Sequence, residues 1–97
     1  MVEMDRDPIE IEIDGTLDLH HFSPGDLKHL IPDYLSECHK KGITEIRIIH
    51  GKGRGVLRRT VHSLLANLPV VQSFRLAPED RGGWGATLVR LKGTIKQ

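Results

Sequence analysis

The sequence predicts a small α/β domain, and three observations lead there. Apolar residues alternate with polar ones in short β-branched runs near residues 9–13, 44–50, 70–76 and 85–92. They recur at helical spacing over 27–38 and 57–68. Strands and helices take turns along the chain, which calls for parallel strands joined by crossover helices.

The elements follow in order. Residues 1–8 are polar and acidic and are expected to be a flexible terminus, with 9–97 forming one domain. Ile9, Ile11 and Ile13 against Glu10 and Glu12 predict a half-buried N-terminal strand. Asp14-Gly15 turns it towards Thr16–His20. A two-residue turn would pair Ile11 with Asp18, whereas a three-residue loop pairs Ile13 with Leu17, so the longer loop or a bulge is expected.

Ser23-Pro24-Gly25-Asp26 supplies an N-cap, a proline in the first turn and an acid three residues after the cap. Leu27, Leu30, Ile31, Tyr34, Leu35 and Cys38 then continue at helical spacing, and Gly42 stops the helix after Lys40 and Lys41. Pro32 removes one backbone bond at a cost of about 3 kcal/mol, which predicts a kink or a divided helix. The second helix is expected over 56–68 with Leu57, Val61, Leu64, Leu65 and Leu68 on its apolar stripe, and Pro69 ends it. The complete order is ββαβαββ, with the strands starting near Leu17, Thr44 and Val70 parallel.

Ninety-seven residues suffice for one core but not two. The lone Cys38 excludes an internal disulfide framework and a cysteine-based zinc knuckle. No apolar run approaches the roughly 18 residues of a membrane span, and no secretory leader is read, so a cytoplasmic location is expected. The net charge of +1 conceals a separation of signs. Residues 1–14 hold one Arg against six acids, while residues 40–62 hold seven cations against Glu45 alone. That positive field fits an anionic partner such as a nucleic-acid backbone, and fits equally a solvated basic helix face.

The field centres on His50-Gly51-Lys52-Gly53-Arg54-Gly55, where a strand runs into three alternating glycines and then a helix. Glycines permit positive φ and close approach of backbone N–H groups, and the helix N-terminus and cations add positive potential, so the segment predicts a phosphate-binding turn. Loops after parallel strands open on one edge of the sheet. Asp18–His21, His50–Gly55 and, if the last strand is antiparallel, Gly82-Gly83-Trp84-Gly85 therefore share an edge.

These segments resemble the signatures of the Smr family, the small MutS-related domain. The chain carries Leu17-Asp18-Leu19-His20, the whole of His50-Gly51-Lys52-Gly53-Arg54-Gly55, and Gly82-Gly83-Trp84-Gly85-Ala86-Thr87-Leu88-Val89, in the family's order. The resemblance covers about 17–92 and implies a two-layer βαβαββ sandwich with a mixed sheet, like the C-terminal domain of translation initiation factor three, here with the extra N-terminal strand. It also implies nucleic-acid binding and endonuclease activity, as DNA nicking or RNA cleavage, with targeting supplied by a recruiting protein or ribosome. His21 stands where the family's first motif closes with glycine.

Phosphodiester hydrolysis requires charge stabilisation at phosphorus, an activated nucleophile and a proton for the leaving oxygen. The expected nucleic-acid contacts are Gly51, Lys52, Gly53, Arg54, Gly55 and Arg58, together with Gly83, Trp84 and Gly85, with Lys52, Arg54 and the glycine-turn N–H groups on the phosphate. His20 or His50 would exchange protons and Asp18 would fix a tautomer or orient water. Each residue also has a purely structural reading: Asp18 and His20 as turn-binding groups, His50 as a satisfied strand-end histidine, Trp84 as an anchor rather than a stacking base partner. His29, His39 and His62 are expected on helix surfaces. No tightly bound metal is assigned, although Asp18, His20, His21 and His50 are possible ligands, and transient Mg²⁺ is the expected form of any metal involvement. A non-catalytic binding module on the same edge is the alternative function. A nucleotide-binding domain is a third, weakened because the turn lacks the Gly-Lys-Ser/Thr ending of a P-loop.

Overall fold

The computed structural model describes residues 11–93. Strand β1 (Thr16–Asp18) leads through a 3-10 turn (Pro24–Asp26) into helix α1 (Leu27–Lys40). Then come β2 (Glu45–Ile49), α2 (Val56–Ala66), β3 (Val71–Leu76) and β4 (Ala86–Leu91), with short 3-10 turns at Glu79–Arg81 and Gly83–Gly85. The sheet order is β1-β2-β4-β3, with β1 parallel to β2 and β4 antiparallel to both its neighbours. This is a βαβαββ mixed sheet, with β1, β2 and β3 running the same way.

The described residues contain no N-terminal strand. Residues 9 and 10 of the expected strand lie outside the described range, and Ile11–Ile13 have no regular structure. Their alternating apolar residues are nevertheless used, because Ile11 and Ile13 pack partly buried against the core. Asp14-Gly15 makes a tight turn of its own rather than a hairpin. The Asp14 carboxylate accepts the Thr16 N–H at 3.0 Å, and the Tyr34 hydroxyl accepts the Gly15 N–H at 3.1 Å and donates to Thr16 O at 3.2 Å. Burial of that phenol pushes its pKa up to about 12.

Around Asp26 the sequence signals act as expected. Its carboxylate accepts the Ser23 N–H at 2.9 Å and the Ser23 hydroxyl at 3.1 Å. The chain divides there, between 3-10 and α-helix, and not at Pro32, which α1 contains without a break. Ile31, Tyr34 and Leu35 beside the proline are all buried, and burial of such side chains contributes about 1.5–3 kcal/mol each, enough to offset the proline.

Alternation in the strands divides the sheet into two faces. Leu17, Ile46, Ile48, Val89 and Leu91 are buried with Leu27, Ile31, Leu35, Val61 and Leu65 of the helices in one core. The other face carries Thr16, Glu45, Arg47, Arg75 and Arg90, none of them buried. Both helices therefore cover one side of the sheet, and the layer architecture is the two-layer one.

Candidate nucleic-acid interface

Parallel pairing brings Asp18 opposite Ile49, and the Leu19 N–H donates to Ile49 O at 2.9 Å, so the end of β1 lies against the start of the glycine turn. From the other side, Gly85 O accepts both the His50 N–H (3.0 Å) and the Gly51 N–H (2.8 Å). The three segments thus meet at the C-terminal edge of β1 and β2. Gly51 and Gly55 have φ of +84° and +85°, and Gly82 and Gly83 have φ of +112° and +56°. A side chain at Gly85 would strike Lys52, with Cβ at 3.0 Å from its Cγ. That glycine lets the two loops close on each other.

The turn is rich in unused donors. Among the described residues, the backbone N–H groups of 52–58 donate to no protein acceptor, and the first helical bond is Arg59 N–H to Gly55 O at 2.9 Å. Helices ordinarily place acids in this position, but α2 has none in its first turn. Instead Arg58 and Arg59 fold back over it. A Cβ on Gly55 would lie 2.8 Å from an Arg58 guanidinium nitrogen and 3.2 Å from one of Arg59. Stacking cations on the positive end of a helix dipole is unfavourable by itself and becomes favourable once an anion sits between them.

Trp84 stands beside this turn with 48% of its surface exposed. The Lys52 ammonium lies 5.7 Å and the Arg58 guanidinium 6.0 Å from its ring centre. An exposed indole flanked by two cations offers an aromatic face beside phosphate ligands.

Asp18 and His20 form a pair at the end of β1. The Asp18 carboxylate accepts the His20 N–H at 2.9 Å and the His20 Nδ1–H at 2.5 Å. The backbone N–H, assisted by the ring, holds the Asp18 pKa below its ordinary value despite slight desolvation. With Nδ1 donating, Nε2 of His20 is the free acceptor, and the ring is 65% exposed. His20 and His21 occupy the centre of a turn closed by Phe22 N–H to Leu19 O at 3.0 Å, so His21 is exposed and the strand has ended before it.

His50 has a different setting. It is 7% exposed and both ring nitrogens are engaged. Nδ1 lies 3.1 Å from Gly51 O, which only accepts, so Nδ1 carries the proton and Nε2 must accept. The partner of Nε2 is the buried Thr87 hydroxyl at 2.8 Å, and the same oxygen is 2.7 Å from His62 Nε2. A hydroxyl has one proton to give. Thr87 therefore donates to His50, and His62 donates its Nε2–H to Thr87. Burial lowers the pKa of both imidazoles, with Arg58 adding to each and His50 to that of His62.

This corrects the placement of His62 on the helix surface. It is half-buried, packs 5.0 Å from the Phe74 ring centre, and completes the Thr87 relay. Its position three residues before buried Leu65 marks the border of the apolar stripe, a signal the sequence does contain. His29 is exposed, and His39 is half-buried, with its Nε2–H donating to Lys92 O at 3.1 Å. Among the described residues, no three His, Cys, Asp or Glu side chains converge as metal ligands. No helix of the described residues is long and apolar enough to cross a membrane.

Fold and edge together define a two-layer α/β domain with a glycine turn at a helix N-terminus, a flanking tryptophan and an Asp–His pair. The family model for the Smr domain matches residues 17–92, and the chain belongs to the Smr family. It is 38% identical over 80 residues to the protein named Endonuclease MutS2 from Halothermothrix orenii, covering 82% of this chain and 10% of that protein. It is 56% identical over 52 residues to the same-named protein from Solidesulfovibrio magneticus, covering 54% of this chain and 7% of that protein. The chain spans about a tenth or less of the length of these relatives. Among solved structures, the Smr domain of Thermus thermophilus MutS2 superposes with a TM-score of 0.77 at 32% identity, covering 81% of this chain and 99% of that one. YdaL, a stand-alone small MutS-related protein from Escherichia coli, gives 0.75 at 26% identity, over 80% and 64%.

Proposed function

We propose that this Smr domain binds the sugar-phosphate backbone of DNA or RNA at the glycine-turn edge and cleaves it by phosphodiester hydrolysis. The observation that carries this reading is the run of uncommitted N–H groups at 52–58, overlaid by Arg58 and Arg59 on a helix start that lacks acids. A phosphate is the ligand that reconciles those charges.

In this reading the turn amides, Lys52, Arg54 and Arg58 hold the phosphate and offset charge growing on its oxygens. Trp84 stacks on an adjacent base. His20 Nε2 takes a proton from attacking water, and Asp18 keeps Nδ1–H in place and stabilises the imidazolium that forms. The leaving oxygen takes its proton from solvent, which reaches this exposed edge. His50 serves differently from His20: with both nitrogens committed, it positions Gly51 rather than exchanging protons with substrate. Transient Mg²⁺ arriving with substrate phosphates would find the Asp18 carboxylate and, among the described residues, no prepared cage. The names of the MutS2 relatives support cleavage, and a recruiting protein or ribosome would supply targeting.

Incubation with supercoiled plasmid and with single-stranded RNA, with and without EDTA, tests the proposal. Nicking or cutting that His20→Ala and Asp18→Ala abolish is the expected result. Binding without any cutting by wild type would leave the non-catalytic module, and full activity in both variants would overturn the catalytic assignment. A cyclic phosphate product confined to RNA would identify the 2′-hydroxyl, not water, as nucleophile.

A further inference from the structure

The sheet face turned away from the helices is rich in arginine. It forms a concave groove of 440 Å³ whose lining includes Arg47, Arg75, Arg81 and Arg90 against Asp14 and Glu45. Registers place Arg47, Leu88 and Arg75 in one row across three adjacent strands. The two arginines therefore flank Leu88 with their strands two spacings, about 10 Å, apart. In the next row Arg90 pairs with Glu45 at 2.7 Å. Among the described residues, no carboxylate pairs with Arg47, Arg75 or Arg81.

The groove continues into the glycine-turn edge. Arg47 donates to Arg81 O at 3.3 Å, drawing the β3–β4 loop over the sheet, and that loop runs directly into Gly82–Gly85. Asp18 is on this same face, because strand alternation puts it with Thr16 and opposite buried Leu17. A strand leaving the Asp18–His20 pair thus meets arginines within two residues of sheet, about 7 Å.

We propose that the open sheet face is a second contact surface for the polynucleotide strand held at the edge, with Arg47, Arg75 and Arg81 on its backbone phosphates; this rests on the nucleic-acid reading given above. The contacts are to phosphate, so DNA and RNA strands are held alike. Contact to the edge alone suffices for a very short ligand, whereas a longer strand engages both surfaces.

The test compares a trinucleotide, by NMR titration, with a fluorescent single strand of about 15 nucleotides, by anisotropy, in DNA and RNA forms. The Arg47→Gln/Arg75→Gln variant should lose about tenfold in 15-mer affinity near 0.15 M salt. Its slope of log K on log salt should flatten by about 1.4, at about 0.7 per phosphate released. Trinucleotide binding should not change. Ser73→Lys, which adds a cation to the same face, should gain about fourfold on the 15-mer by the same relation. Unchanged 15-mer binding in both variants overturns the sheet-face proposal while leaving the edge intact. Loss confined to RNA overturns the phosphate assignment. Lys52→Ala/Arg54→Ala should weaken both ligands, and a wild-type protein that binds neither ligand overturns the edge reading as well.

Discussion

Replacing Thr87 by valine removes one hydroxyl and two hydrogen bonds while preserving side-chain volume, and it isolates the relay that holds the glycine turn. Thr87 is fully buried and His50 nearly so, which leaves His50 Nε2 in Thr87→Val with no partner and little access to water. An orphaned buried acceptor costs about 1–3 kcal/mol. The half-buried His62 turns its N–H to water and adds about 0.5–1 kcal/mol. The sum, about 1.5–4 kcal/mol, is a large share of the roughly 5–15 kcal/mol that stabilises a domain. At about 4–8 °C per kcal/mol for this size, Tm should fall by roughly 6–30 °C. Thermal denaturation at pH 7.5 measures this, with Thr87→Ser as the control that keeps the hydroxyl. Imidazole ¹⁵N shifts should report His50 protonated on Nδ1 in wild type and in Thr87→Ser, and a tautomer mixture in Thr87→Val. If Thr87→Val melts within about 3 °C of wild type, below 1 kcal/mol on the same scale, with its His50 tautomer intact, the relay reasoning is refuted.

Other consequences follow from the same edge. Trp84→Ala should leave Tm nearly unchanged, because the ring is about half exposed, yet weaken single-strand binding by about 5–150-fold, the equivalent of 1–3 kcal/mol of stacking. Equal losses of stability and affinity would make Trp84 an anchor instead. His50 and His62 have depressed pKa values in the fold, so the unfolded chain binds more protons below its ordinary histidine range. Their contribution is complete above about pH 6.5 and is lost as pH falls through the folded values. Urea midpoints measured from pH 8 to pH 5 should therefore decline below pH 6.5, and the decline should shrink in His62→Gln.

Much of the fold was legible because it depends on local pattern. The helical spacing of Leu27, Ile31, Leu35 and Cys38 is the buried face of α1, and alternation at Ile46 and Ile48 is the buried face of β2. The N-terminal alternation misled, since Ile11 and Ile13 bury against the core without pairing as a strand, and periodicity reports burial and not hydrogen-bond partners. Pro32 misled in the other direction. Its local cost is real, but the apolar contacts of its neighbours are tertiary and outweigh it.

At the site, sequence alone determined that a glycine-rich turn joins a strand to a helix, that cations crowd it, and that Asp18 and His20 arrive at the same edge. These conclusions need only residue type, spacing and the direction of parallel strands. The tertiary structure decided which histidine faces solvent and which is locked. His20 and His50 are both strand-end histidines in the sequence, yet one is open beside a carboxylate and the other is saturated by Gly51 and Thr87. That difference depends on Thr87, thirty-seven residues away on β4, and on His62 of helix α2. It also took the sheet register to line up Arg47 and Arg75 across three strands. Hydrogen-bond saturation and cross-strand rows are properties of distance in space, which spacing along a chain does not encode.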